Sequence, residues 1–178
     1  LEITHNTVLA PANNAVRVSS ITGVVVIASN ALYAAAGNAI RVDGDLGAVT
    51  VVANRGAGTT SGVGSGFDPG GSLAADLVAA SYSGGLPQDV FPAAVSGLTG
   101  AADPTWLAPQ DFNLARRGLP GDIGAYRAAA GVNPGWTLAA SFKPARWIFD
   151  DGFEELRGKK VGIVAVDKSV FILAENRL

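Results

Sequence analysis

Arg17 and Arg41 stand 24 residues apart inside matching segments of this 178-residue chain, and Asp43 and Asp45 follow the second of them on either side of Gly44. Carboxylates that hold Ca²⁺ beside an acidic sugar, with a basic residue that removes the proton α to the sugar's carboxyl group, are what β-elimination of a polyuronate requires. Arg41, Asp43 and Asp45 are therefore candidates for catalysis, and Arg17 and Arg41 for ligand binding. The plainer reading is favoured: outward strand positions accept any soluble side chain, and an Asp-Gly-Asp turn is well solvated. No cofactor is expected beyond that Ca²⁺ option.

Other chemistries find fewer residues. There is one histidine, His5, and no cysteine, so a thiol nucleophile and a His or Cys metal site are excluded by count. No G-x-S-x-G elbow occurs, which sets Ser-His hydrolysis aside. Asp150 and Asp151 are the nearest approach to a glycosidase carboxylate pair, but they belong to a terminal motif and read as a polar turn. Trp106, Trp136 and Trp147 could stack on sugar rings; the favoured reading makes them apolar anchors of a loop-rich region.

The elements that must position these residues come from an internal repeat. Asn14-Ala15-Val16-Arg17-Val18 superposes on Asn38-Ala39-Ile40-Arg41-Val42, and Gly23 and Val25 fall on Gly47 and Val49. The same offset places Ile3-Thr4-His5-Asn6 over Ile27-Ala28-Ser29-Asn30 and Val51-Val52-Ala53-Asn54. Each repeat holds short β-branched runs broken by Gly, Asn or Asp, with no helical period between them, which excludes a doubly wound sheet. A unit of this length cannot bury its own apolar face, so each strand must pair with its equivalent one repeat away. The expected fold is all-β, a parallel β-helix, or solenoid. Asn6, Asn30 and Asn54 form one column, expected to be a structural ladder of stacked side-chain amides.

Composition narrows the function classes. Thirteen basic against fifteen acidic residues, with no run of like charge longer than a pair, leaves no nucleic-acid footprint. The apolar run from Val161 to Leu173 is interrupted by Asp167 and Lys168 and is too short for a transmembrane segment. The chain has no Met and opens inside a strand-like run, so it reads as a fragment whose partners include its own upstream coils.

Further along, Gly56 to Gly71 reads as a long loop or loosened coil, and Leu73 to Ala80 as a short helix with Ser72 as its N-cap. Val161–Val166 and Ser169–Leu173, joined at Asp167-Lys168, read as a β-hairpin. Three segments result: coils over 1–62, a capping module over 63–154 and an extension over 155–178.

Coils of this kind followed by a Gly-rich stretch resemble the C-terminal part of pectate-lyase-like right-handed parallel β-helix proteins. Asp111-Phe112-Asn113-Leu114 and Asp122-Ile123-Gly124-Ala125-Tyr126 resemble the choice-of-anchor module of bacterial surface β-helix proteins, with Ala115 to Pro120 in place of that family's Ser-Pro stretch. Trp147-Ile148-Phe149-Asp150-Asp151-Gly152-Phe153-Glu154 is similar to an ending found on exported proteins of some Gram-negative bacteria. The resemblance implies a right-handed β-helix end with a loop-rich C-terminal capping module, secreted or attached to the cell surface, meeting extracellular polysaccharide. It carries over no catalytic residue. A structural or carbohydrate-binding role is expected, with a polysaccharide lyase or hydrolase and a passive stalk or adhesin segment as the alternatives.

Overall fold

A computed structural model describes residues 1–128 apart from 20, 22 and 45, together with 133, 135, 137–139 and 171–173. The described elements are strands β1 (Glu2–Thr4), β2 (Thr7–Ala10), β3 (Val16–Ser19), β4 (Val25–Ala28), β5 (Ala31–Asp43), β6 (Val49–Val52), β7 (Asn54–Ser61), β8 (Phe67–Asp68), helix α1 (Leu73–Asp76), then β9 (Leu77–Ala79), β10 (Asp89–Pro92) and β11 (Phe171–Leu173). The protein is mostly strand, with very little helix.

The 24-residue repeat becomes a register. Ile3 pairs with Ile27 and Ile27 with Val51 in a parallel sheet of order β1-β4-β6. Val8 pairs with Leu32 and Leu32 with Gly56 in a second parallel set, β2-β5-β7, while Arg17 pairs with Arg41 where β3 joins the same β5. The register then slips: Asn38 meets Thr59 and Arg41 meets Ser61, so the third repeat is shorter. Glycine permits the tightening. A Cβ at Gly56 would stand 1.8 Å from the Leu32 carbonyl oxygen, and Gly58 has φ +118. Of the two readings of the stretch from Gly56, a long loop or a loosened coil, the second fits as far as Ser61, where pairing continues in a slipped register.

Alternation decides what each strand covers. In β3, Val16 and Val18 point inward while Arg17 and Ser19 are exposed. In β2 and at Ala31, Leu32, Tyr33 and Ala34 of β5 every residue is buried, because both faces are covered. Val8, Leu32, Ile40, Ile27 and Val25 form one apolar cluster between the sheets. Leu9, Ala31 and Tyr33, on the opposite face, form a second cluster with Phe91, Leu98, Phe112, Ile123 and Tyr126. The segment after residue 63 therefore packs across the outer face of β2 and β5, and the two share a core.

Two local expectations change. The helix expected over Leu73 to Ala80 is one turn: Ser72 caps it, its Oγ accepting from Ala75 N at 3.1 Å, but Leu77 is already extended and β9 pairs antiparallel with β10. Val78 and the buried Leu77 satisfy a strand better than a second helical turn. Of the expected C-terminal hairpin only Phe171–Leu173 lies within the described residues; it pairs antiparallel with β2, Ile172 opposite Val8, and covers that edge of the stack.

Candidate functional site

The Asn column lies at the bends that join β1 to β2, β4 to β5 and β6 to β7. The preceding residues, His5, Ser29 and Ala53, all adopt left-handed backbone at φ 54, 57 and 50. That bend leaves backbone groups without sheet partners, and the amides supply them. Asn6 N and Nδ2 both donate to Asn30 Oδ1 at 2.9 Å, and Asn30 N and Nδ2 donate to Asn54 Oδ1 at 3.0 and 2.9 Å. Asn30 Nδ2 also donates to the Ile3 carbonyl at 2.7 Å, and Asn54 Nδ2 to that of Ile27 at 2.8 Å. All three residues are buried. Beyond Asn54 the Gly66 carbonyl takes the place of a fourth amide, accepting from Asn54 N and Nδ2. At the other end Asn6 Oδ1 is buried without a donor among the described residues.

A second amide pair was equally visible in the repeat. Asn38 N and Nδ2 both donate to Asn14 Oδ1 at 3.0 Å, and Thr59 Oγ1 donates to Asn38 Oδ1.

The arginine and aspartate candidates meet, but as an ion-pair bridge. Arg17 and Arg41 are register neighbours on the exposed face of β3 and β5. Like charges directly opposite repel. Asp43 lies between them: Arg41 Nε donates to its Oδ1 at 2.8 Å and Arg17 Nε to its Oδ2 at 2.9 Å. The hydrogen bonds from Arg41, then Arg17, hold the Asp43 carboxyl below the usual carboxylate range. Both oxygens of Asp43 face a guanidinium, so this donor set does not fit a calcium ion, and Arg41 is tied up as a cation. Asp45, Asp150, Asp151, Trp136 and Trp147 lie outside the described residues. Among the described residues no group of three or more His, Asp or Glu is arranged to hold a metal, and no helix is long and apolar enough to cross a membrane.

The buried charges are elsewhere. Asp76, fully buried, accepts from Tyr33 Oη at 3.1 Å and from Ser72 N at 3.2 Å, and faces Arg55 Nε at 3.5 Å. Arg55 also pairs with Asp68 and donates to the Gly70 carbonyl. Burial, then the Asp76 charge, pushes the Tyr33 hydroxyl far above its ordinary range. This network ties α1 to β5 and β7. Nothing in the spacing of Tyr33, Arg55 and Asp76 announced it.

The Asp122 to Tyr126 motif docks the outer segment. Asp122 accepts from Gly100 N and Ala128 N, Gly124 N donates to the Ser29 carbonyl, and Ala125 N donates to Thr7 Oγ1. Gly124 has φ +92, and a Cβ there would stand 2.8 Å from Thr7 Oγ1. Tyr126 packs edge-on to Phe91 and Phe112, with ring centroids 5.5 Å apart in each pair. Asp111 gathers the Asn113, Ala115 and Arg127 amides. In the stretch between the two motifs, Arg117 is buried and donates to the carbonyls of Gln110, Asp122 and Gly124.

His5 lies under this motif, in a space with room for about one water, bounded by Phe112, Arg117 and Ala125. Neither ring nitrogen makes a hydrogen bond of normal geometry among the described residues. Burial first, then the Arg117 charge, push it down to about 4, although the carbonyls of Asp122, Trp106 and Gly124 favour the charged ring in part.

Among the described residues, Trp106 is in neither apolar cluster. It is half-buried and lines a cleft of about 260 Å³ with Glu2, Thr4 and Thr105.

No protein-family model matches the chain, and no curated protein or solved structure matches it. The fold defines the class: an all-β protein of parallel, register-repeated strands with a loop-rich segment packed on one sheet face.

Proposed function

We propose that the chain is the end of a right-handed parallel β-helix with a laterally docked, choice-of-anchor-like module, and that it serves as a structural or carbohydrate-binding part of an exported, surface-attached bacterial protein. The observation that carries this reading is the 24-residue parallel register of β1-β4-β6 and β2-β5, with its internal Asn column. Strands stacked in that way grow by repetition, and a rigid body with regularly spaced outward positions suits a stalk or a polymer-binding surface. The locked Arg17-Asp43-Arg41 bridge favours a structural use of those residues over elimination chemistry.

The test is co-sedimentation with pectin, alginate and chitin, with and without Ca²⁺, while the absorbance of unsaturated product is followed. Ca²⁺-independent binding without product is expected. Product that disappears in Arg41→Ala would replace this reading by a lyase, and neither binding nor product would leave a passive stalk.

A further inference from the structure

We propose that the cleft between β1 and the turn at residues 103–109 is a carbohydrate subsite for one ring of a neutral or amino sugar, with Trp106 as its stacking platform. The inference rests on the carbohydrate-binding half of the proposed function and gives it a site and a ligand class.

Three observations converge. The first is the aromatic surface. Indole is the largest apolar side chain, and Trp106, half-buried, lines the cleft. A sugar ring presents C–H groups on its faces and hydroxyls around its rim, so it needs an aromatic platform with polar groups at the margin. Thr4, Thr105 and Glu2 provide that margin.

The second is size and charge. At about 260 Å³ the cleft falls just below the range of roughly 300–1,000 Å³ typical of drug-sized ligands, which suits one ring and not an extended groove. Among the described residues of the lining Glu2 is the charged one, and it is exposed. A carboxylate there accepts hydrogen bonds from hydroxyls, attracts an ammonium group and repels a uronate. The site therefore selects against the polyuronates that Arg17 and Arg41 suggest by composition.

The third is preorganisation. Asp103 N donates to Ser29 Oγ at 3.0 Å, and Asp103 Oδ1 accepts from Thr105 N at 2.8 Å, which caps the 3-10 turn Pro104–Trp106 and fastens it to the Asn-column bend. On the other side Leu107 lies against Gly121, where a Cβ would approach Leu107 Cδ1 to 2.5 Å. The wall that carries Trp106 is thus fixed before a ligand arrives, so little ordering entropy opposes binding.

The experiment uses the full chain, with N-acetylglucosamine trisaccharide, glucosamine trisaccharide and trigalacturonate as probes, read by calorimetry and ligand-observed NMR. The first two are expected to bind, and trigalacturonate at least about tenfold more weakly. Trp106→Ala should weaken both by about tenfold or more, Trp106→Phe should retain part of the affinity, and Glu2→Gln should weaken the glucosamine ligand selectively. Should Trp106→Ala not fold, Trp106→Phe and Glu2→Lys decide, the latter reversing the order of glucosamine and galacturonate ligands. Binding that ignores Trp106 overturns the cleft and leaves carbohydrate binding elsewhere on the surface. Preference for trigalacturonate overturns the ligand class. Absence of binding by all three at about 10 mM overturns both the cleft and the carbohydrate half of the proposed function.

Discussion

Asn30→Ala removes the middle rung of the amide column. The side chain makes four hydrogen bonds: its Oδ1 accepts from Asn6 N and Nδ2, and its Nδ2 donates to the Ile3 carbonyl and to Asn54 Oδ1. Asn6 Nδ2 keeps its bond to the Thr4 carbonyl and Asn54 Oδ1 keeps Asn30 N, but the Asn6 N–H and the Ile3 carbonyl lose these partners inside the fold. At about 1 kcal/mol net for each bond, and somewhat more where a buried group is orphaned, the expected loss is about 3–5 kcal/mol. That is a large part of the roughly 5–15 kcal/mol that holds a domain of this size folded. Asn14→Ala is the control: it removes two bonds at a partly buried position, and about 1–2 kcal/mol is expected. Asn30→Asp keeps the acceptor towards Asn6 but sets a carboxylate against Asn54 Oδ1 and the Ile3 carbonyl, where only the protonated acid can donate. Its folded pKa is therefore raised, and its stability should fall as pH rises above about 4. Urea unfolding followed by far-ultraviolet circular dichroism measures all three, with an unchanged slope as the check that the same surface unfolds. An Asn30→Ala variant within about 1 kcal/mol of the parent, or no worse than Asn14→Ala, would refute the reasoning.

His5 should make stability fall between pH 6.5 and about 4, because the unfolded chain takes up a proton there and the buried ring does not. At about 1.4 kcal/mol per pKa unit the loss is at most about 3.5 kcal/mol, and it should be absent from His5→Gln in the same titration. Gly124→Ala combines a left-handed backbone with a clash against Thr7 Oγ1, so a loss of about 2 kcal/mol or more and a loosened Tyr126 environment in near-ultraviolet dichroism are expected. Tyr33→Phe leaves Asp76 one donor short and should lower unfolding stability by about 1–2 kcal/mol.

The period of the sequence was enough for much of the fold. Because parallel strands pair with their equivalents, an offset of 24 residues between Asn14 and Asn38, or Ile3 and Ile27, is also the pairing register, and an amide recurring at that offset must stack on its own kind. The chain pattern also gave Ser72 as a cap, since a cap is a local hydrogen bond. What the sequence could not carry were relations between residues outside the repeat. Arg41 and Asp43 looked like a reactive pair until the register set Arg17 beside Arg41 and drew Asp43 between them. Tyr33, Arg55 and Asp76 come from three separate elements, and only the packing of α1 on β5 and β7 makes them one network. Trp106 was expected among the apolar anchors by its size, but the turn that carries it is fastened to the buried Ser29, and the residue lines a cleft. Local spacing determines what repeats along a stack; which faces are covered, and therefore which side chains remain free to bind, is decided by where the non-repeating segment lies across it.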